Sequence, residues 1–206
     1  EDMEGLTYED LSDPKWKGRV AIRSSGNMYN QSLVASLIAN NGVDATEKWA
    51  HRFVGNFARK PEGNDRAQIM AVANGEADVA VANSYYIGLM LSGKKGEEQQ
   101  AAARKVELHF PGQDGRGAHI NVSGAGLMKN APNAGNAVKF IEFLLSEEAQ
   151  SHIVNNTYEF PMLEGVAPSD LIAQFGSGFK EDQTSVASYG EFNPEAVKLM
   201  DRVGWQ

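Results

Sequence analysis

Three of the six tyrosines lie where a predicted strand passes into a helix. Tyr29 follows the apolar segment 18–25, and the pair Tyr85–Tyr86 follows the β-branched segment 78–84. In an open parallel sheet, ligands bind outside the carboxyl ends of the strands, where neighbouring strand-to-helix junctions lie close together. Helix N-termini at this edge add unpaired N–H donors that suit an anion. We therefore expect the three phenols to meet at a ligand site.

A phenol oxygen binds a metal strongly only after it has lost its proton. The pKa of a free tyrosine is about 10, so roughly one phenol in a thousand is ionised at pH 7. A small, highly charged cation can displace that proton. Three phenolates would cancel the charge of Fe(III), and such hard oxygen ligands favour a ferric ion over zinc or copper. Tyrosines at helix starts also serve as half-buried packing, which is the simpler alternative.

Strands and helices alternate along the chain, which predicts an α/β fold with a largely parallel sheet flanked by helices. The predicted strands are β-branched or apolar runs bounded by turn residues, at 18–25, 78–84, 106–110 and 119–122. The predicted helices have apolar residues at helical spacing, at 29–41, 45–57, 66–74, from 85 onward, 136–155, 169–175 and 194–203.

Composition excludes several classes of function. The 206 residues are 42% hydrophobic and 22% charged, which is ordinary for a soluble globular protein. A net charge of −8 disfavours nucleic acid as a partner. The absence of cysteine rules out disulfides, thiolate metal sites and cysteine nucleophiles. The four histidines lack the spacing of a zinc protease, and we expect no enzymatic activity.

The tyrosine segments resemble a known family, the periplasmic ferric-iron-binding proteins of bacterial ABC transporters. The motif Asn83-x-Tyr85-Tyr86 looks like the iron-binding tyrosine pair of that family. Tyr29 lies 56 residues before Tyr85 and matches the extra tyrosine of the family's tyrosine-rich branch. The stretches that carry the resemblance run nearly end to end and are Tyr8–Arg23, Ser24–Ser36, Gly75–Tyr86, Gly117–Gly126 and Arg202–Trp205.

The resemblance implies a class II periplasmic-binding-protein fold, in which two α/β lobes enclose a cleft. It implies that the protein captures Fe(III) in the periplasm and delivers it to an inner-membrane ABC permease, without being an enzyme. The implied iron ligands are Tyr29, Tyr85 and Tyr86. Because three protein oxygens leave about half of an octahedral shell open, water, a synergistic anion such as carbonate or phosphate, citrate or a second chain could complete it.

Four further residues are candidates for contacts with that anion or with the iron-binding phenolates. Asn83 is a candidate because of the family motif, and Ser25 because of its position in the turn before Tyr29. Arg23 and Arg66 could stabilise phenolate or anion charge, and each could equally be an ordinary surface charge.

The resemblance also divides the chain between the two lobes. Residues 5–116 and 166–206 would form the C-terminal lobe, and residues 119–165 would be a crossover segment of the N-terminal lobe. Most of that N-terminal lobe precedes, in the family, the counterpart of residues 8–23 and is missing here. One strand and one helix cannot bury a core alone. We therefore expect the apolar helix 136–155 to pack on the C-terminal lobe or against a second chain, as in a dimer.

Other functions remain open at this point. The same fold could bind an oxyanion, a polyamine or thiamine, although none of these needs three phenolates. An effector domain of a transcription regulator has a similar length, but the DNA-binding helices are missing and the net charge is acidic. The chain could also be an inert truncated lobe that keeps the fold and lacks the function.

Overall fold

The computed structural model describes residues 3–176 and 178–206. In these residues there are two short strands, with three α-helices between them and six after the second. The strands are β1 (Val20–Ala21) and β2 (Val79–Ala80). The α-helices are α1 (Met28–Asn41), α2 (Val43–Val54), α3 (Asp65–Ala73), α4 (Ser84–Leu91), α5 (Glu97–Ala103), α6 (Ala134–Leu144), α7 (Glu147–Thr157), α8 (Asp170–Ala173) and α9 (Val186–Arg202).

The sheet is parallel, as predicted, but small. Val20 lies opposite Val79 in the β1–β2 pair, and Val20 also makes an isolated parallel bridge to Phe57. The predicted strands at 106–110 and 119–122 are wrong, since neither segment forms a strand among the described residues. A strand needs a hydrogen-bonded neighbour, and the nearest pairing here is the single bridge from Ala118 to Glu181.

Local sequence explains the start and end of α1, the helix that carries Tyr29. The side chain of Asn27 accepts hydrogen bonds from the backbone N–H groups of Tyr29 and Asn30, which is the usual role of an N-cap residue. The helix ends at Asn41, and the next residue, Gly42, has a φ of 79° that suits glycine and few other residues. Helix α1 then packs against α9 and α2.

The largest core cluster lies between α1, α2 and α9 and is centred on aromatic rings. Trp49 stacks on Phe53 with ring centroids 4.7 Å apart. Phe57 and Trp205 meet Phe53 edge to face, at 5.1 and 5.4 Å. Edge-to-face and stacked rings add to the stabilisation that burial already gives, so this region is stabilised by contacts among its own residues.

The predicted helix 136–155 is two helices, α6 and α7, and the prediction of one continuous helix is wrong. Ser146 breaks it, because its side chain caps α7 by accepting a hydrogen bond from the backbone N–H of Ala149. Helix α9 also differs from the prediction, since it begins at Val186 and contains Pro194 in its interior.

Helix α6 buries none of its residues. Phe140 and Phe143, on one face, are 59% and 47% exposed, and Val138, on another side of the helix, is 41% exposed. Of the two expected alternatives, packing on the C-terminal lobe is wrong for α6, and packing against a second chain stays a prediction. In the two described ranges, no helix has the length and hydropathy needed to span a membrane.

Candidate metal centre

The structure brings the three tyrosines together at the carboxyl end of the sheet. Tyr29 is the second residue of α1, and Tyr85 and Tyr86 are the second and third residues of α4. The Tyr85 hydroxyl donates a hydrogen bond to the Tyr29 hydroxyl oxygen at 2.9 Å. The rings of Tyr85 and Tyr86 have centroids 4.3 Å apart. The convergence follows from the parallel pairing of β1 with β2, because each strand leads into one of the two helices.

The surroundings keep the phenols of Tyr85 and Tyr86 protonated when no cation is bound. Burial, followed by hydrogen bonds with Tyr29 and Tyr86, raises the pKa of Tyr85 far above its usual value. Burial also raises the pKa of Tyr86, and the nearby charge of Asp65 acts in the same direction. A monovalent charge would not displace such protons, whereas a highly charged cation surrounded by three phenol oxygens would.

A buried carboxylate links the two segments that carry the tyrosines. Asp65 Oδ2 accepts a hydrogen bond from the Arg23 guanidinium at 2.6 Å, and Oδ1 accepts one from the backbone N–H of Asn83 at 3.0 Å. The Arg23 guanidinium lies 5.7 Å from the centroid of the Tyr29 ring. On its other side, the Asn83 side-chain oxygen accepts a hydrogen bond from Asn121 at 3.3 Å. Two predicted site residues, Arg23 and Asn83, thus lie beside the phenols.

The other two predicted residues are placed differently. Ser25 lies in the turn before α1, where its backbone carbonyl accepts a hydrogen bond from Gln31. Arg66 donates to the side chain of Gln99 on α5 at 2.9 Å. No described contact joins Arg66 to the tyrosines, so the structure does not bring it to the site.

Sequence reasoning missed Asp65, which becomes central to the site. Its partners Arg23 and Asn83 are 42 and 18 residues away along the chain, so no local spacing reveals them. The only signal in the sequence was an acidic residue after Asn64 at the start of a helix. Acidic residues are common there because they interact favourably with the helix dipole, so this signal did not point to a site.

A second polar cluster lies where residues 117–119 cross α1. His119 Nε2 is 2.9 Å from the Ser32 hydroxyl, and the His119 backbone N–H donates to the Tyr8 hydroxyl at 3.2 Å. Burial lowers the pKa of His119 to about 4, although the charge of Asp182 acts in the opposite direction. This imidazole is therefore neutral at pH 7 and already hydrogen-bonded.

Carboxylates and imidazoles do not offer an alternative metal site. Within residues 3–176 and 178–206, no group of three or more histidine, aspartate or glutamate side chains is arranged to hold a metal ion. The phenol oxygens are therefore the candidate ligands.

Residues 5–180 match the family described as bacterial extracellular solute-binding protein. The chain belongs to that family. Among its relatives, iron uptake protein A1 of Synechocystis sp. is 54% identical over 200 residues, which are 97% of this chain and 55% of that protein. This solute-binding chain spans about half the length of the curated relatives it matches.

Solved structures of family members have the same fold. A Trichodesmium protein, FutA (IdiA), in complex with iron and citrate, superposes with a TM-score of 0.96 at 52% identity. The match covers 100% of this solute-binding chain and 65% of that one. The ferric binding protein of Campylobacter jejuni has a TM-score of 0.93 at 40% identity, with the same coverage of both chains. The predicted α/β fold, similar to class II periplasmic binding proteins, is confirmed.

Proposed function

We propose that this solute-binding chain binds ferric iron through Tyr29, Tyr85 and Tyr86. It would act as the substrate-binding component, or the C-terminal lobe of that component, in an iron ABC uptake system. The observation that carries the proposal is the meeting of the three phenols, with the Tyr85 and Tyr29 oxygens 2.9 Å apart. Relatives named as iron uptake and ferric binding proteins support the same substrate.

The chemistry of the phenols selects Fe(III) among metal substrates. Three phenolates balance its charge, so the bound complex is neutral in a half-buried site where net charge is costly. The rest of the octahedral shell is open to water or to an anion such as carbonate, phosphate or citrate. Asn83 and Ser25 are the proposed contacts for that anion, and Arg23, paired with Asp65, lies close to the ring of Tyr29.

The proposal places residues 5–116 and 166–206 in one lobe and residues 119–165 in a crossover segment. The exposed face of α6 would be covered by the N-terminal lobe, for which the longer relatives have additional chain length. A second copy of this chain is the competing occupant. Light scattering tests the second copy, because a monomeric chain contradicts the dimer, whereas a dimer of this chain is consistent with either occupant.

We propose that the protein works in the periplasm and passes its iron to an inner-membrane ABC permease. Relatives named iron uptake protein and ferric binding protein support transport as the role.

The test is a visible-absorbance titration of the metal-free chain with ferric citrate. Phenolate bound to Fe(III) gives a coloured charge-transfer band, which we expect to saturate near one iron per chain. The double variant Tyr85→Phe, Tyr86→Phe should lose it. Tyr158→Phe is the matched control, because Tyr158 is buried in the apolar cluster against which Tyr85 and Tyr86 pack, while its ring lies 5.1 Å from the Lys94 ammonium.

Each outcome has a defined meaning. A band that the double variant lacks and the Tyr158 control retains supports the tyrosine site. No band in the wild-type chain contradicts iron binding by these residues and favours an inert lobe or another cargo. A band that survives in the double variant contradicts Tyr85 and Tyr86 as ligands.

A further inference from the structure

Burial of the Asp65 carboxylate costs free energy, which a structural or functional role has to offset. Its side chain is 2% exposed, and both carboxylate oxygens are engaged. Oδ2 pairs with Arg23 at 2.6 Å, whereas Oδ1 accepts from the backbone and side-chain nitrogens of Asn83, at 3.0 and 3.4 Å. One buried carboxylate thus holds two segments that are far apart in the sequence.

Each of these two segments orients part of the tyrosine cluster. Asn83 precedes the first residue of α4, so its backbone position determines where Tyr85 and Tyr86 begin. The backbone carbonyl of Arg23 accepts a hydrogen bond from the Asn30 side chain at 2.7 Å, which ties this segment to the first turn of α1 beside Tyr29.

The sheet alone gives little control over this geometry. Strands β1 and β2 pair over only two residues each, and both end before the tyrosine-bearing segments begin. The other end of the same strand pair is joined by an ion pair between Arg19 and Asp78. Asp65 supplies the corresponding connection at the end where the phenols lie.

We infer that Asp65 is a positioning residue for the ferric site, on the proposed function that the three tyrosines bind Fe(III). By holding Arg23 and Asn83 together, it sets the separation between Tyr29 and the Tyr85–Tyr86 pair. The carboxylate also neutralises Arg23, so the pair adds no net charge beside the three phenolates and the ferric ion.

The alternative is that Asp65 only stabilises the fold by neutralising a partly buried arginine. The two roles differ in the iron spectrum. A fold-stabilising residue changes the fraction of folded protein and leaves the folded site unchanged. A positioning residue changes the distances between iron and the phenolates, which moves the charge-transfer band in protein that is still folded.

The experiment compares Asp65→Asn with the matched control Asp78→Asn. Each variant is titrated with ferric citrate, its iron affinity is measured by competition with citrate, and its fold is checked by circular dichroism. Asp65→Asn should weaken iron binding at least tenfold and shift the charge-transfer band. Asp78→Asn should stay within about twofold of wild type, and Asp65→Glu should recover part of the lost affinity because it can still pair with Arg23.

A second variant covers the case in which Asp65→Asn does not fold. The double variant Arg23→Gln, Asp65→Asn contains no unpaired charge and should also bind iron more weakly, with a shifted band. Wild-type affinity and an unmoved band in folded Asp65→Asn or in the folded double variant would overturn the inference, as would an equal loss in Asp78→Asn. If the wild-type protein itself shows no band, the proposed function fails and the inference fails with it. If only the inference fails, the wild-type band remains, so the two failures are distinguishable.

Discussion

The region formed by α1, α2 and α9 and the helix α6 have opposite relations to solvent. In the first region, Phe53 and Trp205 are 0% and 1% exposed and meet edge to face. In α6, Phe140 and Phe143 are 59% and 47% exposed, and no residue of the helix is buried. Both regions contain large apolar side chains, so composition alone does not decide which one forms a core. The first region is folded by its own contacts, whereas α6 leaves its large apolar side chains exposed.

The candidate site lies where the first region meets a second core cluster, against which Tyr85 and Tyr86 of α4 pack. Tyr29 lies on α1, and the Trp205 indole N–H donates to the backbone carbonyl of Arg23, which connects the aromatic core directly to the site. Asn121 donates a hydrogen bond to the side chain of Asn83 beside the site. The tyrosines are therefore positioned by contacts within this chain.

The largest expected contrast between the two regions is in stability. Phe53→Ala should lower the free energy of unfolding by about 3–5 kcal/mol, because a fully buried ring is removed from a packed cluster. Phe143→Ala makes the same change on α6 and should cost less than about 1 kcal/mol, since the ring is half exposed. Urea unfolding of both variants measures the difference. Equal losses would mean that α6 contributes to the core as much as α2 does.

A fall in pH is expected to lower the free energy of unfolding by an intermediate amount, through protonation of His119. Burial lowers the pKa of His119 to about 4, below its ordinary value of 6.5, so the unfolded chain takes up this proton first. Stability is then unaffected above about pH 6.5 and falls as the pH drops towards 4. One pKa unit is worth about 1.4 kcal/mol, so the loss reaches about 3 kcal/mol by pH 4.

His119→Gln isolates this effect from the titration of carboxylates. Glutamine keeps a polar group opposite Ser32 and does not titrate. Urea unfolding at several pH values should give a shallower loss of stability in the variant than in wild type between pH 6.5 and 4. Parallel curves for the two proteins would show that His119 is not protonated more readily in the unfolded chain.

The smallest expected effect is a polar substitution on α6. Phe140→Ser should change the free energy of unfolding of this chain by no more than about 0.5 kcal/mol, because the ring is mostly in solvent. It should lower the tendency of the chain to self-associate, since exposed apolar patches drive association. Urea unfolding and light scattering at increasing concentration check both statements. A clear loss of stability would indicate that this face is covered within the chain.

Sequence reasoning located elements best where short-range signals were strong. Helix α1 has a capping asparagine before it and a glycine after it, and both signals lie within the helix's own segment. The strands were less predictable because a strand is defined by its neighbour. Apolar runs at 106–110 and 119–122 have the composition of strands, yet no partner in the described chain pairs with them. The break at Ser146 could have been anticipated from the Ser-Glu-Glu sequence that begins α7.

The same distinction applies to the candidate site. The positions of Tyr29 and Tyr85 at strand-to-helix junctions predicted that they would lie close together, because parallel strands align their carboxyl ends. The contacts of Asp65 depend on three segments meeting in space, and the separation of Arg66 from the phenols depends on which face of α3 points outward. Neither can be obtained from spacing along one chain.

The most direct test of the central claim is a crystal of the chain grown with ferric citrate and measured at the iron absorption edge. The account predicts one strong anomalous peak per chain, within bonding distance of the hydroxyl oxygens of Tyr29, Tyr85 and Tyr86. A peak bound only to surface carboxylates or histidines, with the three tyrosines still hydrogen-bonded to one another, would contradict it.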